Sequence, residues 1–253
     1  MSKKFRDMTC IYCLIRPSIR QGDHLFARGF FPENKRNNLP KIPGCDQCNN
    51  AKSRLEHYLA SILPFGARHA DALTNLETMV PSRLAKNQKL HRELNAGRET
   101  VLSEEGPGLF VETSALPFDG NSLHLLMAYV VKGLLWHHWK VVLTPEFDVR
   151  IVSITKPFEP FFAEILGQQA AQRTRENLGD GAFMYEGAQG KDYPELSVWA
   201  FSLFGGLKVA GDADAPHEGS SRIIAITARK DFLARLDALL GDQGQSRFLG
   251  QPQ

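Results

Sequence analysis

Four cysteines are the tightest constraint on this chain, because they fall as two identical pairs, Cys10 with Cys13 and Cys45 with Cys48, with none elsewhere in the 253 residues. At that spacing a tight turn can point both sulfurs of a pair at one ion, and two such turns complete a tetrahedral thiolate site whose default occupant is zinc. Any fold for this chain must therefore bring residues 10–13 and 45–48 together. A small unit closed in this way buries too little apolar surface to fold alone, and a structural zinc supplies such units with about 10 to 16 kcal/mol of apparent binding energy. With every cysteine assigned to metal, none remains for a disulfide, which fits a reducing cytoplasmic setting.

The stretch between the pairs carries polar residues that a purely structural ribbon does not require. Asp23 and His24 are adjacent, Asn38 follows in a polar loop, Asn49 comes directly after the last cysteine, and Lys52 and Arg54 lie just beyond it. Residues 23–26 have the apolar content of a short strand, and Pro40 and Pro43 keep residues 39–44 extended. From Leu55 the apolar residues Leu55, Leu59, Ile62 and Leu63 recur at spacings of three and four, so the second pair opens onto a helix that Pro64 and Gly66 stop.

This arrangement, two CxxC pairs bracketing a DH dipeptide with an asparagine after the last cysteine, resembles the zinc-containing branch of the HNH endonucleases. The resemblance covers residues 10–52. It implies a ββα-metal unit in which the cysteines hold a two-stranded ribbon against a helix. It also implies that His24 is the general base, that Asp23 and Asn49 hold a catalytic Mg²⁺ or Mn²⁺, that Asn38 ties the loop and orients the histidine, and that DNA is the substrate. Arg28, Lys52 and Arg54 are the candidates for contacts to the phosphate backbone.

The chemistry asked of these residues is plausible from their types. Hydrolysing a phosphodiester needs a water deprotonated near neutral pH and a cation to hold the charge developing on the phosphate. A histidine with an ordinary pKa of about 6.5 is largely neutral at that pH and can accept a proton. Adjacent strand residues point to opposite faces, so Asp23 and His24 can reach one phosphate only with some distortion. An asparagine oxygen at position 49 suits Mg²⁺, and it equally suits an N-cap of the following helix. Lys52 and Arg54 read as phosphate contacts or as solvated surface charge.

Charge is uneven along the chain. Residues 1–98 hold 17 Lys and Arg against 8 Asp and Glu, +9, whereas residues 99–253 hold 13 against 20, −7. A basic front half suits a polyanion, since each phosphate neutralised releases counterions. Residues 1–9 are a polar, basic lead-in without the apolar core of a signal peptide, and no run of about 18 apolar residues suggests a membrane span.

Helices are expected over residues 67–80, closed by Pro81, and 83–95, the latter rich in basic side chains. Residues 97–108 are polar and glycine-containing and coincide with the change in charge, so they mark a boundary between a 1–98 unit and a 99–253 unit. Beyond it the pattern predicts strands over 108–116, 147–154, 181–186, 196–204 and 222–228, with helices over 122–141, 160–178 and 231–240. That mixture is α+β with a mainly antiparallel sheet. The adjacent His137 and His138 project about 100° apart on a helix and make a poor metal pair. The aromatic stretches at 183–185 and 198–201 read as sheet core. The second half is assigned substrate selection, homodimer formation or docking of a partner protein. Against the nuclease stand two readings of other classes, a zinc-stabilised nucleic-acid-binding module with no hydrolytic activity and a protein-interaction domain whose zinc unit is structural.

Overall fold

The computed structural model of the protein describes residues 5, 7–15, 22–67, 69–106, 108–155, 160, 163–164, 170–207 and 219–241. Most of the lead-in, the connector after the first cysteine pair, most of 156–169 and the tail beyond 241 lie outside them.

The cysteine turns and the ribbon come first. Strand β1 (Asp23–His24) pairs antiparallel with β2 (Lys41–Ile42), Asp23 opposite Ile42 and His24 opposite Lys41. Helix α1 (Asp46–Ile62) follows the second cysteine turn. Its N-cap is Cys45, extended at φ −77° and ψ 159°, whose sulfur accepts from the Cys48 amide. Asn49 is therefore inside the helix rather than its cap. Pro64 lies in the 3-10 turn Leu63–Gly66 that ends it, as a residue unable to continue the backbone ladder should.

Three short helices follow: α2 (Ala70–Thr78), α3 (Val80–Lys86) and α4 (Gln88–Ala96). Pro81 does not close a helix. It occupies the first turn of α3, where its missing N–H costs nothing. Asn87 caps α4 through its side chain onto the Leu90 amide, which divides the helix expected over 83–95.

The region after α4 differs from a linker. Residues 99–106 form β3 (Glu99–Gly106), which pairs antiparallel with β4 (Leu109–Ala115). Its polarity reflects exposure of the hairpin, where Leu102, Leu109 and Phe110 are all more than half exposed. Helix α5 (Gly120–Leu134), capped by Asp119 onto the amides of Asn121 and Ser122, runs into a π-helical turn over Leu135–Trp139.

The remaining strands build one five-stranded antiparallel sheet in the order β5-β9-β8-β7-β6, with β5 Phe147–Thr155, β6 Ala170–Leu178, β7 Phe183–Gly190, β8 Ser197–Leu203 and β9 Gly219–Arg229. The protein is α+β. The sequence pattern of 160–178 predicts a helix, and 170–178 is instead an edge strand paired with β7. Its Ala, Gln, Arg and Glu content favours helix locally, but those polar side chains also suit a sheet edge, where charge discourages further pairing. Helix α6 (Lys230–Gly241) closes the described chain.

Register sorts the sheet's two faces. Tyr185 opposes Phe201, Phe201 opposes Ile223 and Trp199 opposes Ala225, so these residues share the face that meets the ribbon and α5. The other face puts Ala200, Ile224 and Ile226 under Leu233 of α6. Gly187 is required opposite Trp199, because a Cβ there would come within 2.4 Å of the indole.

The main core is continuous from the cysteine unit to the sheet. Leu25, Phe26 and Ile42 of the ribbon, Leu59 of α1, Val131 and Leu134 of α5, and Phe183 and Trp199 of the sheet belong to one cluster. Phe26 and Phe183 have ring centroids 4.5 Å apart. Gly133 lets α5 approach the ribbon, since a Cβ would meet Leu25 at 2.3 Å and Ile42 at 2.7 Å. Among the described residues this cluster has members on both sides of residues 97–108.

Candidate metal and phosphate site

The cysteine turns converge. The four sulfurs of Cys10, Cys13, Cys45 and Cys48 all lie within 4.8 Å of one another. Thiolates about 2.3 Å from one zinc in a tetrahedron sit about 3.8 Å apart, and Cys13 Sγ is 3.8 Å from Cys45 Sγ. Backbone amides support the sulfurs: Cys45 N–H donates to Cys10 Sγ at 3.3 Å, and Ile11 N–H ties the first turn to Pro43 O at 3.1 Å. Burial, followed by the neighbouring sulfurs, pushes the Cys48 thiol well above its ordinary value. Four thiolates this close repel one another and a cation among them offsets that repulsion, so the donor set and its spacing fit a structural zinc.

Both turns also touch Asp23. Tyr12, inside the first pair, donates its hydroxyl to Asp23 Oδ2 at 2.8 Å. Burial, then the Asp23 charge, pushes the Tyr12 phenol well above its ordinary value, so it remains a donor at any physiological pH. Gly44, before the second pair, packs against Asp23 and Tyr12 so closely that a Cβ would meet them at 3.0 and 3.1 Å. The carboxylate, 5% exposed, is held by the same turns that bring the four sulfurs together.

Lys52 is the least expected member. It is fully buried, and its ammonium lies 2.6 Å from His24 O, 2.7 Å from Glu56 Oε1 and 3.1 Å from Asp23 Oδ2. It is thus a tether for both residues of the DH dipeptide and not a surface cation. A polar side chain this deep is tolerated because all three of its donors are used. One cation faces two carboxylates, so the Asp23, Lys52 and Glu56 group carries a formal charge of −1. Burial pushes the Glu56 carboxyl up, and Lys52 partly offsets it.

Above this group opens a polar cleft of about 550 Å³. Asp23, His24, Arg28 and Asn49 all line it. The imidazole of His24 is half-buried, and burial, then the charges of Lys41 and Arg28, lowers its pKa. It is neutral near pH 7 and able to accept a proton. Asp23 and His24 remain on opposite sides of the strand, one buried and one half-buried, and both are among the residues that line the cleft.

Two of the sequence candidates stand elsewhere. Asn38 is exposed in the turn before β2, with a left-handed φ of 61° that asparagine tolerates, and its side chain makes no hydrogen bond among the described residues. Arg54 is exposed on α1 and does not line the cleft. The cleft adds residues the sequence reading passed over. Ser53, Glu56 and His57 of α1 line it together with Asn49, and the spacings 49, 53, 56 and 57 are one helical face, a signal that was available. Lys41 also lines it and, like Arg28, is exposed without an ion-pair partner among the described residues.

In the second half, His138 bonds the Tyr185 hydroxyl at 2.9 Å and lies over the sheet with Trp199 6.3 Å away. The adjacent histidines are therefore core and helix-end residues, and Phe183, Tyr185, Trp199 and Phe201 are buried sheet core. Among the described residues no helix is long and apolar enough to cross a membrane. No protein-family model, curated protein or solved structure matches the chain.

Proposed function

We propose that the protein is a metal-dependent endonuclease of the HNH type acting on DNA. What carries the reading is the convergence of Asp23, His24 and Asn49 on one polar cleft, beside a group of formal charge −1 and with Arg28 and Lys41, which have no ion-pair partner among the described residues, in its lining. A negative floor attracts a divalent cation, and Arg28 and Lys41 at the rim suit phosphate.

In this reading His24 accepts a proton from a water whose oxygen bonds to phosphorus. The phosphorus–oxygen bond to the leaving sugar breaks with its electron pair, and that oxygen takes a proton from solvent. Asp23 and Asn49 would hold the Mg²⁺ or Mn²⁺, which supplies charge stabilisation at the phosphate. Lys52 and Tyr12 fix the Asp23 carboxylate, and Lys52 also fixes the His24 backbone.

A second reading follows from the Lys52 tether. An ammonium 3.1 Å from Asp23 Oδ2 competes with a metal for that carboxylate. If the ammonium prevails, the cleft is a phosphate-binding groove without hydrolysis.

Nicking of supercoiled plasmid with Mg²⁺ or Mn²⁺ separates the two. Cleavage by the wild type and none by zinc-loaded, folded His24→Ala supports the nuclease. Salt-dependent DNA binding that is indifferent to His24→Ala and to divalent metal, with no cleavage by either protein, supports the binding module.

A further inference from the structure

We infer that an apolar pocket beside the cleft takes an unpaired nucleobase of the strand whose phosphate occupies the cleft. This deepens the nucleic-acid reading above and rests on it.

The pocket, about 410 Å³, is walled by Phe5, Met8, Pro40 and Trp136 and rimmed by Lys41, His137 and Lys140. Lys41 lines both the pocket and the cleft and is the cross-strand partner of His24. The pocket therefore begins beside the proposed general base, within reach of a nucleotide adjoining the bound phosphate. Lys41 stands between the two and can serve the backbone on the way from one to the other.

The walls are built for a fixed shape. Trp136 and His137 lie in the π-helical turn that ends α5, and Lys140 follows it at φ 58°. Such π turns occur often at functional sites, and a left-handed lysine is an uncommon backbone state. Lys140 Nζ donates to Trp136 O at 3.3 Å and His137 O at 2.8 Å and sits 4.4 Å from the indole centroid. Phe5 lies against the indole at 60° with centroids 6.0 Å apart. Phe5 is held in turn over Gly22, where a Cβ would come within 2.3 Å of its ring.

An apolar wall with an aromatic ring, bordered by cations that follow a backbone, is how single-stranded nucleic acid is held with little sequence preference. A base paired in a duplex cannot enter such a pocket, so the occupant is single-stranded or locally unpaired.

The test uses full-length, zinc-loaded His24→Ala protein, which leaves the oligonucleotide intact, and a short single strand carrying 2-aminopurine. Binding should change the 2-aminopurine fluorescence. In a Trp136→Leu background affinity should fall about tenfold, within the range for a lost base–aromatic stack, while Trp136→Phe retains it. A duplex of the same sequence should bind without the fluorescence change. Equal affinity in the Leu and Phe variants with no fluorescence change overturns the inference, and plasmid nicking by the wild type would show that the nuclease reading survives it. Absence of binding by any nucleic acid overturns both. Should Trp136→Leu not fold, photocrosslinking of a 5-iodouracil strand to the unaltered pocket decides. A crosslink at Trp136 or Met8 supports the inference, and crosslinks only outside the pocket overturn it.

Discussion

Replacing Lys52 with methionine keeps the length of the side chain and removes its charge. Three contacts are lost together, to His24 O, Asp23 Oδ2 and Glu56 Oε1, and two carboxylates remain buried without their shared cation. Removing one member of a buried ionic group costs about 3 to 5 kcal/mol, because the remaining charge is stranded. The loss depends on pH, and its sign follows from Glu56. Burial already raises that carboxyl, and the Lys52 charge is the first influence holding it down. Without Lys52 the folded value moves further above the unfolded value of about 4.3. The folded variant then binds a proton that the unfolded chain does not, so its deficit shrinks as pH falls through the folded value. Urea unfolding of zinc-loaded protein at pH 7.5 and 5.5, with wild type in parallel, should give the full loss at the higher pH and a smaller one at the lower. A loss under about 1 kcal/mol at both pH values, with weakened DNA binding instead, would return Lys52 to the surface role its sequence position suggests.

Three further outcomes follow from the same physics. One zinc per chain is expected by elemental analysis, and its removal, or Cys45→Ser, should unfold the cysteine unit together with the sheet that shares its core, read by circular dichroism and hydrogen exchange, since the metal contributes on the order of 10 kcal/mol to such a unit. His138 is lowered to about 4, chiefly by burial and then by the His137 and Lys140 charges. The unfolded chain therefore binds the extra proton between about pH 6.5 and 4, and stability should fall as pH drops through that window, by about 1 to 2 kcal/mol after allowance for partial exposure. His138→Phe should flatten the thermal-unfolding profile there. Gly133→Ala should destabilise the whole chain by about 1 to 3 kcal/mol through overpacking against Leu25 and Ile42, in a single transition; two separate transitions would deny the continuous core.

What the sequence made legible was local. Two CxxC pairs, a DH dipeptide and the three-and-four spacing of Leu55, Leu59 and Ile62 each sit within a few residues, and each appears where the pattern places it. What stayed hidden depended on distant partners. Lys52 reads as a first-turn cation, and only the fold sets it between Asp23, on a strand 29 positions earlier, and Glu56. Residues 170–178 carry helix-forming side chains, and pairing with β7 overrides that preference. Residues 99–106 are polar enough for a linker, yet their hydrogen bonds go to β4. The pocket at Trp136 needs a π turn, for which the Trp-His-His-Trp stretch carries no spacing signal. Glu56 and His57 were readable, one helical turn beyond Ser53.

Anomalous diffraction from crystals grown with zinc and soaked in Mn²⁺ tests the central claim most directly. The account predicts a zinc peak about 2.3 Å from all four cysteine sulfurs and a manganese peak in the cleft against Asp23 and Asn49. A cleft without manganese, with the Lys52 ammonium still on Asp23, would contradict the nuclease and leave a zinc-braced phosphate groove.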